Sequence, residues 1–394
     1  MHTFTERAEA LADDLVSLRR DLHRHPELGF QEVRTSQRVA ERLEGLGLPV
    51  RRQVGITGVV AEIENGAGPT VALRADMDAL PIQEDADHDY ASTSPGVMHA
   101  CGHDGHTAGL LGTARLLLDA REAGLLPPGT VRLIFQPCEE TVDAEGKSGA
   151  MRMMDEGALE GVDAAVGMHL GAHLTAGLLL VGPGPVMATA QQMRVRVLGR
   201  SAHAALPHEG IDAAVLAAQG LLAAQTAVSR RIAPTDPGVV SFGRIVGGTA
   251  PNVVADEVVL EGTVRSFSPE VHERLISAME GAFRGLEPQG AWVKFEYEPS
   301  FPAVVNHPRV TSVVREAFLE AFGPDRVHPQ PSLLTGEDFG FIAQEIPSVF
   351  FWLGAALDEP RSHHHPRFDF DDSVLPLGSA AMATAAVSLL RALP

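Results

Sequence analysis

The stretch TVRLIFQPCEE, residues 130–140, holds the pattern from which the rest of the chain can be read. An apolar run the length of a buried strand, Val131–Phe135, stops at Gln136-Pro137 and delivers two carboxylates, Glu139 and Glu140. Two other segments repeat the arrangement. The run Thr70–Leu73 is followed by Asp76 and Asp78, and the run Ala164–Met168 by His169. A further strand candidate is Val59–Ile63, and helical patterns lie between these runs at Thr107–Ala120 and Ser148–Glu156. Strands alternating with helices predict an α/β layer structure around a largely buried sheet. In such sheets ligands bind in the crevice outside the carboxyl ends of the strands. Three separate segments bringing carboxylate or imidazole to that edge point to bound cations.

Outward from this core, the segment up to about residue 46 reads as helices, with a break at His25-Pro26 where proline disfavours a helical predecessor. A second pattern begins after Gly182-Pro183-Gly184-Pro185. Met193, Val195 and Val197 alternate with Arg194 and Arg196 as in a half-buried strand. A helical stretch, Asp212–Arg231, is followed by strand candidates Val239–Val246 and Glu257–Ser266. A helix then opens with Ser268 as N-cap and Pro269 at its first position, and a last strand alternates through Val293, Phe295 and Tyr297. This β-α-β-β-α-β order is the split, ferredoxin-like unit. The expected organisation is one catalytic domain, residues 1–185 and 299–394, interrupted by an inserted domain at 186–298. After residue 300 the helix-then-strand character returns at Val310–Phe322 and Ser348–Leu353, with a final helix over Gly378–Leu393.

At 394 residues the chain exceeds the size at which single cores stop growing, so two domains are natural. The formal charge of −20 at pH 7, with no dense Lys/Arg block against it, disfavours nucleic acid and anionic membranes as partners. The N-terminal residues mix charges with apolar residues at helical spacing, and no stretch reaches the roughly 18 apolar residues that span a bilayer. Cys101 and Cys138, two thiols in so long a chain, make no disulfide framework. A cytoplasmic protein is expected.

Candidate ligands converge on a few motifs. His99-Ala-Cys-Gly-His-Asp-Gly-His106 precedes the Thr107 helix, and Cys101 and His103, two apart in a glycine-bearing loop, can both face one ion. Taken alone this pair is as compatible with a buried structural cysteine beside surface histidines. Of Glu139 and Glu140, one carboxylate can hold metal while the other serves as general base; an isolated Glu-Glu pair is more often a solvated turn. The internal run His363-His364-His365 offers another ligand or a histidine-rich loop. His203, Asn252 and Arg265 fall in the inserted domain and on spacing alone read as structural. There is no Gly-x-Ser-x-Gly elbow and no phosphate-binding glycine signature, so the case for metal rests on convergence.

Nine segments together resemble the aminoacylase and hippurate hydrolase family. These are LHRHPELGFQE (22–32), LRADMDALP (73–81), MHACGHDGHT (98–107), IFQPCEE (134–140), GMHL (167–170), GRSAHAALPHEGIDA (199–213), APNVVADEV (250–258), GEDF (336–339) and HHPRFDF (364–370). This is the amidohydrolase branch of a group of di-metal metallopeptidases that includes carboxypeptidase G and the auxin-conjugate hydrolases, and the resemblance runs nearly end to end. It implies a metallopeptidase-type catalytic domain with a mixed central sheet and an inserted lid or dimerisation domain. It implies two divalent ions per subunit, zinc first and manganese, cobalt or nickel as substitutes, held by Cys101, His103, Glu140, His169 and His364, with Cys101 bridging. Glu139 is then the general base. His203, from the same subunit or its partner, polarises the scissile carbonyl or steadies the oxyanion, and Asn252 and Arg265 grip a small N-acyl amino acid. A homodimer or homotetramer through the lid domain is implied as well. Two departures stand out. The wider group has His-x-Asp where this chain has Asp76 and Asp78, which gives Asp76 a supporting role and His103 the metal. The stretch Thr141–Ser148 is also longer than usual.

Two rival functions remain at this point: a metallo-exopeptidase of the same fold acting on dipeptides, and a catalytically silent metal-binding scaffold or sensor. A mononuclear structural zinc protein is a third, and it would unfold on chelation.

Overall fold

The computed structural model describes residues 3–394; Met1 and His2, the start of the stretch read as helical, lie outside the described residues. The chain divides into two compact units. One comprises the described residues up to Val186 together with Val304–Pro331 and Asp338–Pro394; the other comprises Met187–Ala303 and Ser332–Glu337.

The first unit is built on an eight-stranded mixed sheet. Its strand order is Val50–Val54, Gly58–Glu64, Thr130–Gln136, Thr70–Asp76, Ala164–Gly171, Ser348–Gly354, Leu179–Leu180 and Val327–His328. The four strands Thr130–Gln136, Thr70–Asp76, Ala164–Gly171 and Ser348–Gly354 run parallel and side by side. Their carboxyl ends therefore share one edge. The strand at the centre of this block, Ala164–Gly171, is buried at every residue, as a parallel strand covered on both faces should be. Neighbouring residues of a strand point to opposite faces, and Phe350 and Phe351 show what covers each. Phe350 meets Phe339 of the helix Phe339–Glu345, while Phe351 meets Phe318 of the helix Pro308–Phe322. The helix His103–Glu122 is buried on almost every side, as is the C-terminal helix Leu375–Ala392. The segment Asp372–Ala392 is long and apolar enough to cross a membrane, but 94% of its most apolar window is buried within the fold. It is a core helix.

Three boundaries differ from the sequence expectation. The strand Thr70–Asp76 extends to Asp76 itself, and Ala164–Gly171 runs past His169, so that histidine sits in the strand and not beyond it. The helix expected from Thr107 begins at His103, with Gly102 at φ 96 as its N-cap residue. His103 thus occupies a first helical turn and not a loop. In each case apolar periodicity ends before the backbone hydrogen bonding does, because the terminal positions hold polar residues for the site.

The second unit is a four-stranded antiparallel sheet of order Trp292–Tyr297, Thr189–Leu198, Glu257–Ser266 and Gly238–Gly247. Connectivity and order are those of the ferredoxin-like βαββαβ unit. The expected 20-residue helix over Asp212–Arg231 is two helices, Ala213–Ala224 and Thr226–Arg231, joined at Gln225. Asp212 caps the first by accepting from Ala214 and Val215 N–H. Together with Pro269–Arg284 these helices bury the apolar side of the sheet over Val195, Val197 and Leu260, with Phe283 of the last helix packed among them. On the strands, Arg194 and Arg196 pair with Glu261 and Glu257.

Candidate metal centre

At the shared edge of the parallel strands, side chains from four separate segments converge. The turn after Thr130–Gln136 is tightly specified. Cys138 takes φ 46, an uncommon conformation for a residue with a side chain, and its N–H donates to the buried carboxylate of Glu32 at 2.8 Å. Glu32 also accepts from the Thr57 hydroxyl, and burial and the nearby Asp78 raise its pKa to about 7. Gly149 N–H closes the turn onto the Cys138 carbonyl at 2.8 Å. A Cβ at Gly149 would lie 1.6 Å from the Pro137 oxygen. Gly149→Ala is therefore expected to lower the stability of the protein by about 3 kcal/mol, read as a shift of the urea midpoint. An unshifted midpoint would mean that this turn yields freely.

The turn sets Glu139 and Glu140 apart. Glu140 N–H donates to Asp78 Oδ2 at 3.0 Å, and its Oε1 lies 3.0 Å from His364 Nε2 and 4.0 Å from His103 Nε2. Glu139 Oε1 accepts from Asp338 N–H at 3.3 Å, and Oε2 is 4.0 Å from His103 Nε2. His103 has its outer nitrogen fixed: Nδ1 is 2.9 Å from the Asp78 carbonyl and 3.2 Å from its Oδ1. His169 is held likewise, its Nδ1 donating to the Leu170 carbonyl at 2.8 Å while Nε2 lies 3.5 Å from Cys101 Sγ. His364, at φ 58, is pinned by its N–H to the Ala100 carbonyl. Overlapping sets of potential ligand atoms, each within 4.8 Å, result, among them Cys101, His103 and His169; Cys101, Glu140 and His364; His103, Glu139 and Glu140; and Asp76, His103 and His106.

These residues fit divalent ions. The buried His103 Nε2 has no hydrogen-bond partner, and Glu140 Oε1 meets His364 Nε2 out of line; a cation between them relieves both. The inner nitrogens of His103 and His169 are each backed by an outer hydrogen bond at Nδ1, the usual support for a metal-ligating imidazole. Electrostatics agree. Burial and then Glu140, Glu139 and Asp76 push the Cys101 thiol well above its usual range, so without a cation it stays protonated. Burial works against the His103 imidazolium, yet Asp76, Asp78 and Glu140 outweigh it and raise its pKa to about 10. This is a pocket of surplus negative potential, and a bound cation reverses the protonation of both groups. Asp78 engages two of the candidates at once. Asp78→Ala should weaken metal binding roughly 10–100-fold, measured by competition with a chromophoric chelator. Unchanged affinity would leave Asp78 without that role.

Asp76 is fully committed: Oδ1 is 2.6 Å from His106 Nδ1 and Oδ2 accepts from Arg74 Nη1 at 2.7 Å. Burial opposes its charge, but His103, His106 and Arg74 hold its carboxyl well below the usual range. His106 was not singled out from sequence. Its Nε2 accepts from Leu170 N–H at 2.9 Å, so it ties the helix His103–Glu122 to the strand of His169 and Nε2 does not face the ligand cluster. Asp338 was also missed, although GEDF contained it. Its carboxylate accepts from Arg74, Gln136 and Ala150 N–H, and its own N–H orients Glu139. His203, Asn252 and Arg265 lie in the second unit. His203 is paired with Val253, its Nδ1 accepts from Ala205 N–H at 3.0 Å, and the Asn252 carbonyl accepts from Ala204 N–H.

A description of peptidase family M20/M25/M40 matches residues 72–388. The chain belongs to this family. It is accordingly a metal-dependent hydrolase of amide bonds. An N-acetylcysteine deacetylase of Bacillus subtilis is 39% identical over 384 residues, 96% of this chain and 97% of that protein. The IAA-amino acid hydrolase ILR1-like 2 of Arabidopsis thaliana is 38% identical, over 96% of this chain and 86% of its own. Among solved structures, the YXEP protein of Bacillus subtilis, described as a dinuclear metal binding peptidase of the M20 family, superposes with a TM-score of 0.82 at 36% identity, covering 98% of this chain and 99% of its own.

Proposed function

We propose that the chain hydrolyses the amide bond of small N-acyl amino acids, using two divalent ions held by Cys101, His103, Glu140, His169 and His364. The observation that carries this reading is the position of Glu139, turned toward the ligand cluster and oriented by Asp338 N–H. The deacetylase and the auxin-conjugate hydrolase support the substrate class, and the dinuclear neighbour supports the ion count. Thiolate with imidazole favours zinc, with manganese, cobalt and nickel as workable substitutes. When bound, such ions supply Lewis acidity, polarising the scissile carbonyl and making water a nucleophile at neutral pH. Glu139 takes the proton from the attacking water and returns it to the leaving amine. His203 contributes from the second unit of the same chain or a partner. Because its Nδ1 accepts a hydrogen bond, its proton sits on Nε2, the form that donates to a developing oxyanion. Asn252 and Arg265 grip the substrate. The edge strand Gly238–Gly247, with exposed Ile245 and Val246, suits pairing with a second copy, and the two free buried thiols suit a reducing cytoplasm.

The test is a hydrolysis panel of N-acetyl, N-benzoyl and indoleacetyl amino acids against dipeptides with free amino termini, with metal content measured on the same sample. Turnover of the acylated set alone is expected. Preference for free amino termini would make the protein an exopeptidase instead.

A further inference from the structure

A second group of ligand-type side chains lies in the first unit outside the cluster described above. We infer that His23, Glu84 and His88 form a further divalent cation site, with a structural rather than chemical role. His23 Nε2 is 3.2 Å and His88 Nε2 3.1 Å from the same oxygen, Glu84 Oε1, and the three ligand atoms lie within 4.8 Å of one another. For zinc bonded to nitrogen and oxygen at about 2.0–2.1 Å, tetrahedral geometry places neighbouring ligand atoms about 3.3 Å apart. The spacing therefore suits a single small ion.

Each of the three is also held from behind. His23 Nδ1 donates to Asp104 Oδ2 at 2.8 Å, which turns Nε2 toward the group. The other oxygen of Glu84 accepts from Ser92 N–H at 2.6 Å. The His88 ring stacks on Tyr90 with centroids 3.8 Å apart and planes at 15°, and the Tyr90 hydroxyl donates to Asp369. This is the outer-sphere support expected of metal ligands: a carboxylate behind one histidine, a backbone donor behind the carboxylate and a fixed ring plane behind the other. Arg19 lies beyond Asp104, where its charge is answered by Asp104 and Asp369.

Hydrogen bonding alone accounts for only part of this arrangement. The His23–Glu84 contact is a hydrogen bond, whereas His88 Nε2, buried and 3.1 Å from Glu84 Oε1, meets that oxygen out of line, and its buried Nδ1 has no hydrogen-bond partner. His99, buried with both ring nitrogens unpartnered, has its ring 6.2 Å from that of His23. His88 is the most exposed of the three, at 15% of its side chain, and so marks the side nearest solvent, from which a fourth ligand would come. An ion here joins the end of the helix Ala12–Arg24 to residues 84–88, which no strand or helix otherwise holds.

The test is metal content of the whole protein after zinc loading and gel filtration, for the native chain, H88A and H88Q, with cobalt absorption as a second readout. The native protein should hold about one equivalent per chain more than either variant and show the matching tetrahedral cobalt bands. Added zinc should raise its thermal midpoint by more than it raises theirs, while turnover stays the same. Glutamine keeps the bulk over Tyr90, so H88Q remains informative should H88A fold poorly. Equal metal content in the native protein and a folded variant would overturn the site. Failure of the Cys101-centred pair would lower the total in all three proteins but leave the difference of one.

Discussion

Glu139→Gln should lower kcat roughly 10²–10⁴-fold while the protein keeps its fold and its full metal content. Glutamine preserves the shape of the side chain and can still accept the Asp338 N–H that orients position 139. It loses only the capacity to take a proton and return it. Because Glu140 and not Glu139 is the proposed ligand of the pair, metal stoichiometry and KM should change little. Steady-state kinetics beside metal analysis of the same preparation decides the matter. A variant that lost metal in proportion to activity would make Glu139 a ligand, and one that retained activity would place the base elsewhere.

Chelation should have the second large effect, on turnover and on stability together. The proposed ligands come from the turn after one strand, the end of another, the start of a helix and the loop at His364. Ions that join them favour the folded state by mass action, by about 2.7 kcal/mol where free metal stands a hundredfold above its dissociation constant. Exhaustive dialysis against a strong chelator should abolish hydrolysis and lower the thermal midpoint by several degrees, for a chain whose core stays folded. Zinc, cobalt or manganese should restore both. Full activity in the metal-free protein would end the two-ion reading, and complete unfolding would instead favour a structural zinc protein.

The two effects differ in cause, and the fold explains why they can be separated. In the proposed mechanism Glu139 acts through one proton, whereas the proposed ligands act through charge. Asp76, Asp78, Glu139 and Glu140 stand close together in a buried place, and Arg74, the basic group there, is committed to Asp76 and Asp338. Such a concentration of carboxylates is tolerable only with cations among them or with protons held on His103 and Cys101.

Much of this was legible in the chain itself. The parallel strands announce themselves as short apolar runs, and the residues just past them are the ones that gather at the sheet edge. The ferredoxin-like order of the second unit follows from alternation at Met193–Val197 and Val293–Tyr297 and from the Ser268-Pro269 helix start. These are local signals: periodicity, capping and turn chemistry depend on residues a few positions apart. The sequence by itself therefore determined the elements, their order and the types of side chain at each strand end.

What the tertiary structure decided is how those ends meet. Arg74 bonds Asp338 across 264 residues of chain, and Glu139 takes its orientation from that same Asp338. His106 reads as one more histidine of a motif until its two nitrogens are seen committed to Asp76 and Leu170. The segment Ser332–Glu337 joins the second unit although its neighbours on both sides belong to the first. No local pattern records such pairings, because hydrogen bonds and ion pairs between distant segments leave no period in the sequence. They arise only when the sheet has packed and water has left the crevice.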